Sequence, residues 1–227
     1  GVPIVTDMSS CILSEVYDVS KFGLIFAGAQ KNMGPAGVAA VIVRNDLMDS
    51  CMDITPELYN YKVNFEKGSM LNTPPTYTIY MLKLMLDWVK EMGGVAELQK
   101  INEKKAAMLY DYLDNSKLFK GRVAKKDRSM MNVTFVIGDT DMEKRFVAEA
   151  KEAGLVNLGG HRSMGGMRAS IYNAMPIEGV KALIEFMEKF DRLYSKELSL
   201  PLNENNWGNN YYKKHKFDKN CECDTCK

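Results

Sequence analysis

The chain has 227 residues, and thirty Lys and Arg against twenty-nine Asp and Glu leave a formal charge of +1, so no global field favours nucleic acid or anionic lipid as a partner. Its length allows a substantial core in one large or two modest domains. No apolar run approaches the roughly 20 residues that span a bilayer, and no basic stretch followed by a hydrophobic one opens the chain, so it reads as a soluble, cytoplasmic protein without a membrane partner.

In chain order, Gly1 to Val5 reads as a strand entered abruptly, as though the chain starts within a domain. Residues 2–6, 23–28 and 37–43 are short apolar runs separated by Gly, Pro, Asp or Asn. The unbroken run Val38 to Val43 predicts a strand covered on both faces, hence a helix-flanked central sheet. An irregular stretch follows through Pro56 and Gly68. Pro74-Pro75 then opens a helix with Ile79, Leu82, Leu86 and Val89 at helical spacing, which Gly93-Gly94 stops. A second helix carries Val95, Leu98, Ile101, Leu109 and Leu113 on one face.

Beyond it the pattern predicts a strand at Met131–Ile137, a helix at Asp141–Ala153, strands at Leu155–Leu158 and Arg168–Tyr172, and a helix at Ile177–Tyr194. The fold class is α/β, with residues 1–94 in one mixed-sheet unit, 95–194 in a smaller α/β unit, and 195–227 a polar, loosely ordered tail. Five cysteines, an odd number, lack the spacing of a disulfide framework and fit a reducing compartment. Cys221, Cys223 and Cys226 with His215 could supply four zinc ligands, but the spacing lacks paired Cys-x-x-Cys knuckles, so no metal site is assigned. The sixteen methionines read as adaptable core filling.

The chemistry concentrates at Lys31. An apolar strand delivers it into the glycine-bounded turn Gly28-Ala29-Gln30-Lys31-Asn32-Met33-Gly34, with Asp7 upstream. A lysine so placed can form an imine with pyridoxal phosphate, and a buried aspartate can keep that cofactor's pyridine nitrogen protonated. Asn72 and Thr73 precede a helix start, where amide, hydroxyl and free backbone donors suit an anion, although sequence alone favours an N-capping pair, a common use of Asn-Thr-Pro. His161, Arg162 and Arg168 flank Gly165-Gly166 and could grip phosphate and carboxylate through paired hydrogen bonds. Ser9 and Ser10 read as residues that satisfy nearby backbone.

Three blocks, Ala27 to Gly37, Asn72 to Thr76 and Gly160 to Pro176, in this order and with Asp7 ahead of Lys31, closely resemble the phosphoserine aminotransferase family. The likeness runs from Val2 to about Leu193. It implies a fold-type I pyridoxal 5'-phosphate transferase, of which the chain would be the C-terminal part of the large domain plus the small C-terminal domain, the N-terminal portion being absent. It also implies a homodimer with a shared active site that moves the amino group between glutamate and 3-phosphohydroxypyruvate, giving phosphoserine and 2-oxoglutarate in serine biosynthesis and, in some bacteria, serving pyridoxine biosynthesis.

By that resemblance Lys31 carries the imine and then moves the substrate proton, Asp7 holds the pyridine nitrogen, and Gln30 touches the cofactor phosphate. Asn72 and Thr73 would reach the neighbouring subunit's cofactor phosphate. Arg168 would hold the α-carboxylate, and His161 and Arg162 the distal phosphate or the glutamate side chain. Relatives often carry a basic residue where Gly159 stands, a mild departure. The competing expectations are another class V aminotransferase, or a non-catalytic fragment or accessory chain whose Cys-rich tail binds metal or a partner.

Overall fold

The computed structural model describes residues 1–161 and 164–194. The expectations for the tail and for Arg162 lie outside those residues. Two three-stranded sheets organise the rest. The first has β1 (Val5–Asp7), β2 (Leu24–Gly28) and β3 (Ala39–Val43) in that order, β1 parallel to β2 and β3 antiparallel to it. Because β1 and β2 run the same way, with Asp7 opposite Phe26, their C-terminal ends open on the same edge. The first strand begins later than its apolar run suggests and includes Asp7 itself.

β3 departs from the sequence reading. Val41 and Ile42 are 41% and 47% exposed, so the run predicted to be covered on both faces is not covered by the described residues. Among the described residues β3 pairs only with β2, and the buried cluster beneath this sheet is small: Ala27, Ala29 and Met33, with Ile12, Leu13, Val38, Ala40 and Leu82 packed against it.

The irregular stretch after β3 contains one short helix, α1 (Tyr61–Glu66), capped by Asn60, whose side-chain oxygen accepts from the Val63 amide at 3.2 Å. Its six residues are too few for an apolar period to register in the sequence. α2 (Thr76–Glu91) and α3 (Val95–Asn115) are separated by Gly93 and Gly94, at φ 93° and 85°, a conformation that resists a Cβ. Of the face expected on α2, only Val89 is buried. α3 buries Leu98, Asn102, Lys105, Leu109 and Leu113, one continuous stripe.

The second sheet has β4 (Lys120–Gly121), β5 (Asn132–Val136) and β6 (Met167–Ser170), antiparallel and in that order. α3, α4 (Thr140–Glu152) and α5 (Ile177–Tyr194) share its core with it. Asp139 caps α4 by accepting from the amides of Asp141 and Met142. Phe119, Phe146 and Phe190 form the centre, with edge-to-face rings at 5.0 Å for Phe119–Phe146 and 5.2 Å for Phe146–Phe190. Each such buried ring contributes about 1.5–3 kcal/mol from apolar burial alone.

The strand expected at Leu155–Leu158 does not form. Asn157 has φ 62°, which breaks extended pairing, and only a bridge at Gly159 opposite Met167 and a bond from the Arg168 amide to the Leu158 carbonyl remain. Among the described residues no helix is long and apolar enough to cross a membrane.

Candidate active site

Lys31 lies just past β2 in a turn closed by bonds from the Met33 and Gly34 amides to the Ala29 carbonyl, at 3.1 and 2.7 Å. Ala29 and Met33 are buried beneath it and fix the loop from below, while Gln30 and Lys31 are exposed above. Gln30 folds back over Gly28 so closely that a Cβ on that glycine would sit 2.7 Å from the Gln30 side-chain oxygen.

Asp7 ends β1 beside this turn. It is exposed rather than buried, contrary to the sequence reading, because no described residue covers its outer side. Its orientation is nonetheless specified: Oδ1 accepts from both the amide and the hydroxyl of Ser9, at 2.8 and 2.5 Å. The Ser9 hydroxyl in turn accepts from the Gly28 amide at 2.9 Å, tying Asp7 to the end of β2. The Ser9 hydroxyl, then its amide, and more weakly the Lys31 charge hold the Asp7 carboxyl below its usual range, so it stays ionised.

Arg168 enters from the second sheet, on β6 opposite Thr134 of β5. Its Nε is buried and has no hydrogen-bond partner among the described residues. Lys31, Ser10, Arg168 and Tyr172 line one cavity of ≈ 1260 Å³. Residues 137 positions apart in the chain thus line a common space, Lys31 from the turn after β2 and Arg168 from β6.

The loop before β6 is a tight glycine turn. The Gly160 amide donates to the Gly166 carbonyl, the amides of Met164 and Gly165 donate to the His161 carbonyl, and Gly165 and Gly166 adopt φ 61° and 68°. A Cβ on Gly160 would lie 2.2 Å from the Gly165 carbonyl oxygen. Arg122 donates to the Met164 and Gly165 carbonyls and holds the tip. His161 is exposed on this turn and is not among the cavity's lining residues.

Asn72 and Thr73 are exposed and also lie apart from the cavity. Nor do they cap α2: its N-cap is Pro75, with no side-chain capping bond, so the ordinary capping explanation does not hold.

The sequence reading set Ser9 aside and gave no role to Tyr172 or to three buried residues near the cavity, Asn102, Lys105 and Asn173. A signal existed for two of these. Asn102 and Lys105 occupy core positions between Leu98 and Leu109 on the apolar face of α3, where a polar residue must have internal partners. Lys105 donates to the carbonyls of Ile171, Tyr172 and Met175 at 3.2, 2.8 and 3.0 Å, and burial pushes its ammonium down to about 8.

Comparison with known proteins gives the class. The chain belongs to the aminotransferase class-V family, whose model matches residues 1–183. More particularly, it is 58% identical over 190 residues to the phosphoserine aminotransferase of Listeria monocytogenes, covering 84% of this chain and 52% of that protein. The Histophilus somni phosphoserine aminotransferase is 53% identical over 188 residues, with 83% and 52% covered. Among solved structures, the phosphoserine aminotransferase from Bacillus circulans subsp. alkalophilus superposes with a TM-score of 0.81 at 47% identity, covering 85% of this chain and 54% of that one. The pyridoxal-phosphate-bound enzyme from Trichomonas vaginalis gives 0.78 at 38% identity, with 82% and 53% covered. The fold is that of fold-type I transferases, and the chain spans about half the length of the relatives it matches.

Proposed function

We propose that this chain provides the Lys31 site of a phosphoserine aminotransferase, which moves an amino group reversibly between glutamate and 3-phosphohydroxypyruvate to give phosphoserine and 2-oxoglutarate. The carrying observation is that Lys31 and Arg168 line one cavity, with the Arg168 Nε lacking a hydrogen-bond partner among the described residues, beside a carboxylate that Ser9 keeps ionised. The donor set fits pyridoxal 5'-phosphate: a primary amine for its aldehyde, an anionic oxygen for its ring nitrogen, and the Gln30 amide for its phosphate. When bound, that group supplies the electron sink that makes a substrate α-proton removable.

The chain's own side chains would do the rest. Lys31 Nζ holds the cofactor, then takes the proton from the substrate α-carbon and returns it on the other side of the transfer. Asp7 keeps a proton on the ring nitrogen through a charge-assisted bond. Arg168 pairs with the α-carboxylate through its guanidinium, and His161 and Arg162 serve the distal phosphate or the glutamate side chain.

Asn72 and Thr73 belong to the same reading through a homodimer. They are exposed, apart from this chain's cavity and uncommitted as caps, which supports a role at the cofactor phosphate of a second copy. Exposed Tyr77, Tyr80 and Leu84 on the adjoining helix support contact with that copy. Residues 1–94 and 95–194 form its two units, each with its own sheet, and the enzyme works in the cytoplasm on small molecules, apart from membranes and nucleic acid.

The test is direct. The chain, alone and joined to a polypeptide supplying the other half of its relatives' length, is incubated with pyridoxal phosphate, reduced with borohydride and mapped. Label on Lys31, lost in Lys31→Ala, and an absorbance change with phosphoserine but not with alanine or cysteine are expected. Label elsewhere or nowhere in the joined protein overturns the reading.

A further inference from the structure

Three asparagines form a buried chain of amides between the two sheets. Asn32, immediately after Lys31, donates through Nδ2 to the Ile12 carbonyl at 2.7 Å and accepts at Oδ1 from the backbone amide of Asn173 at 2.9 Å. Asn173 lies just beyond β6 and donates through Nδ2 to the Leu13 carbonyl at 2.9 Å. Its Oδ1 accepts from Asn102 Nδ2 at 2.8 Å, and that same nitrogen donates to the Ser14 carbonyl at 2.9 Å. All three side chains are 5% exposed or less.

The placement is what matters. Asn32 adjoins the amine of the proposed site, and Asn173 is five residues past the guanidinium, on the loop that Lys105 anchors through three carbonyls. The segment Ile12–Ser14, whose three carbonyls accept from the asparagines, includes Leu13 at φ 64° and follows the Asp7–Ser9 pair. The catalytic elements of the first sheet and the carboxylate-binding strand of the second are therefore joined by buried amides, without a charged pair in the chain. Buried hydrogen bonds are short-ranged and directional, so such a chain sets a separation that apolar contact alone leaves loose.

We propose that Asn32, Asn102 and Asn173 are positioning residues that fix the distance between Lys31 and Arg168, and so tune the site to an amino acid whose α-carboxylate and α-carbon must reach both at once. This rests on the function proposed above, yet its structural half stands separately. Loss of the chain moves Arg168 relative to a cofactor that Lys31 still holds. Substrate capture then suffers more than cofactor capture.

The test compares Asn32→Ala and Asn102→Ala with the unaltered protein, in the joined polypeptide that carries the complete length of the relatives. Amide hydrogen exchange is read first and needs no activity: Asn32→Ala is expected to raise exchange at residues 171–175, more than 130 positions away, with the Asn173 amide most affected, and Asn102→Ala to raise it over the same residues. Kinetics are read second. KM for glutamate is expected to rise about tenfold while borohydride labelling of Lys31 stays complete and kcat changes less than about threefold. Exchange that rises only around Asn32 overturns the coupling. Raised exchange with unchanged KM and a lowered melting temperature overturns the positioning role and leaves a structural bond. Should Asn32→Ala not fold, Asn102→Ala, which leaves both Asn32 bonds in place and removes the donor to Asn173 Oδ1, decides by the same two readings. If the unaltered protein takes up no cofactor, the functional proposal fails, and the exchange result alone decides whether the sheets are coupled.

Discussion

Ser9 donates to Asp7 Oδ1 twice, through its amide and its hydroxyl, while the same hydroxyl accepts from the Gly28 amide. A side chain two residues from a carboxylate thereby fixes both that carboxylate's direction and its link to the strand that delivers Lys31. Ser9→Ala removes the hydroxyl and leaves the amide bond. The Asp7 carboxyl is expected to titrate closer to its ordinary range, seen by carbon NMR, and pyridoxal phosphate retention is expected to weaken about fivefold, the worth of roughly one hydrogen bond. Ser9→Thr, which keeps the hydroxyl, is expected to behave as the unaltered protein.

Lys105 is fully buried on α3, and three carbonyls of the loop after β6 accept from it. Lys105→Met matches the stem and removes the ammonium donor from all three, leaving the Tyr172 carbonyl only the Met175 amide. Denaturant unfolding is expected to show a loss of about 2–4 kcal/mol. A loss below about 0.5 kcal/mol would mean that water replaces the ammonium at no cost.

Asp114 on α3 takes two bonds from the Arg128 guanidinium, which also lies 4.4 Å over the Tyr110 ring. Arg128 first, with Lys125 beside it, holds the Asp114 carboxyl at about 2, down from 3.8. A carboxyl depressed in the folded state adds stability above its unfolded pKa and loses it as pH falls through the folded one. Asp114→Asn is therefore expected to cost about 1–2 kcal/mol at pH 7, the pair being 25% and 15% exposed and partly screened. That difference narrows as pH falls from 4 to 2, and urea unfolding at pH 7, 5 and 3 measures it.

Gly160 faces the Gly165 carbonyl at a distance no Cβ tolerates. Gly160→Ala forces the His161 turn open and is expected to cost about 1–3 kcal/mol. Exchange at the Gly160 and Arg168 amides should rise, and KM for phosphoserine should rise with it. Gly159→Ala next door, where a Cβ meets nothing within 4 Å, is the control for the turn and should leave exchange unchanged.

The sequence by itself determined the elements whose physics is local, and through its motifs it determined the family. Helical spacing marked α2 to α5, Gly93-Gly94 marked the end of α2, and Asp7, Lys31 and Arg168 stood out as a charge set around strand termini. It did not settle what depends on neighbours. Val38 to Val43 has the composition of a covered strand, but cover is a property of what packs above it. Leu155 to Leu158 has strand composition, but Asn157 turns left-handed because the chain must leave α4 and reach β6.

Only the tertiary structure decided that Lys31 and Arg168 share a cavity, that Ser9 aims Asp7, and that Asn32, Asn102 and Asn173 meet. The reason is physical. A buried amide or ammonium is stable only where partners from distant segments converge on it, and a one-dimensional pattern records that the group is placed on a core face without recording which carbonyls will receive it.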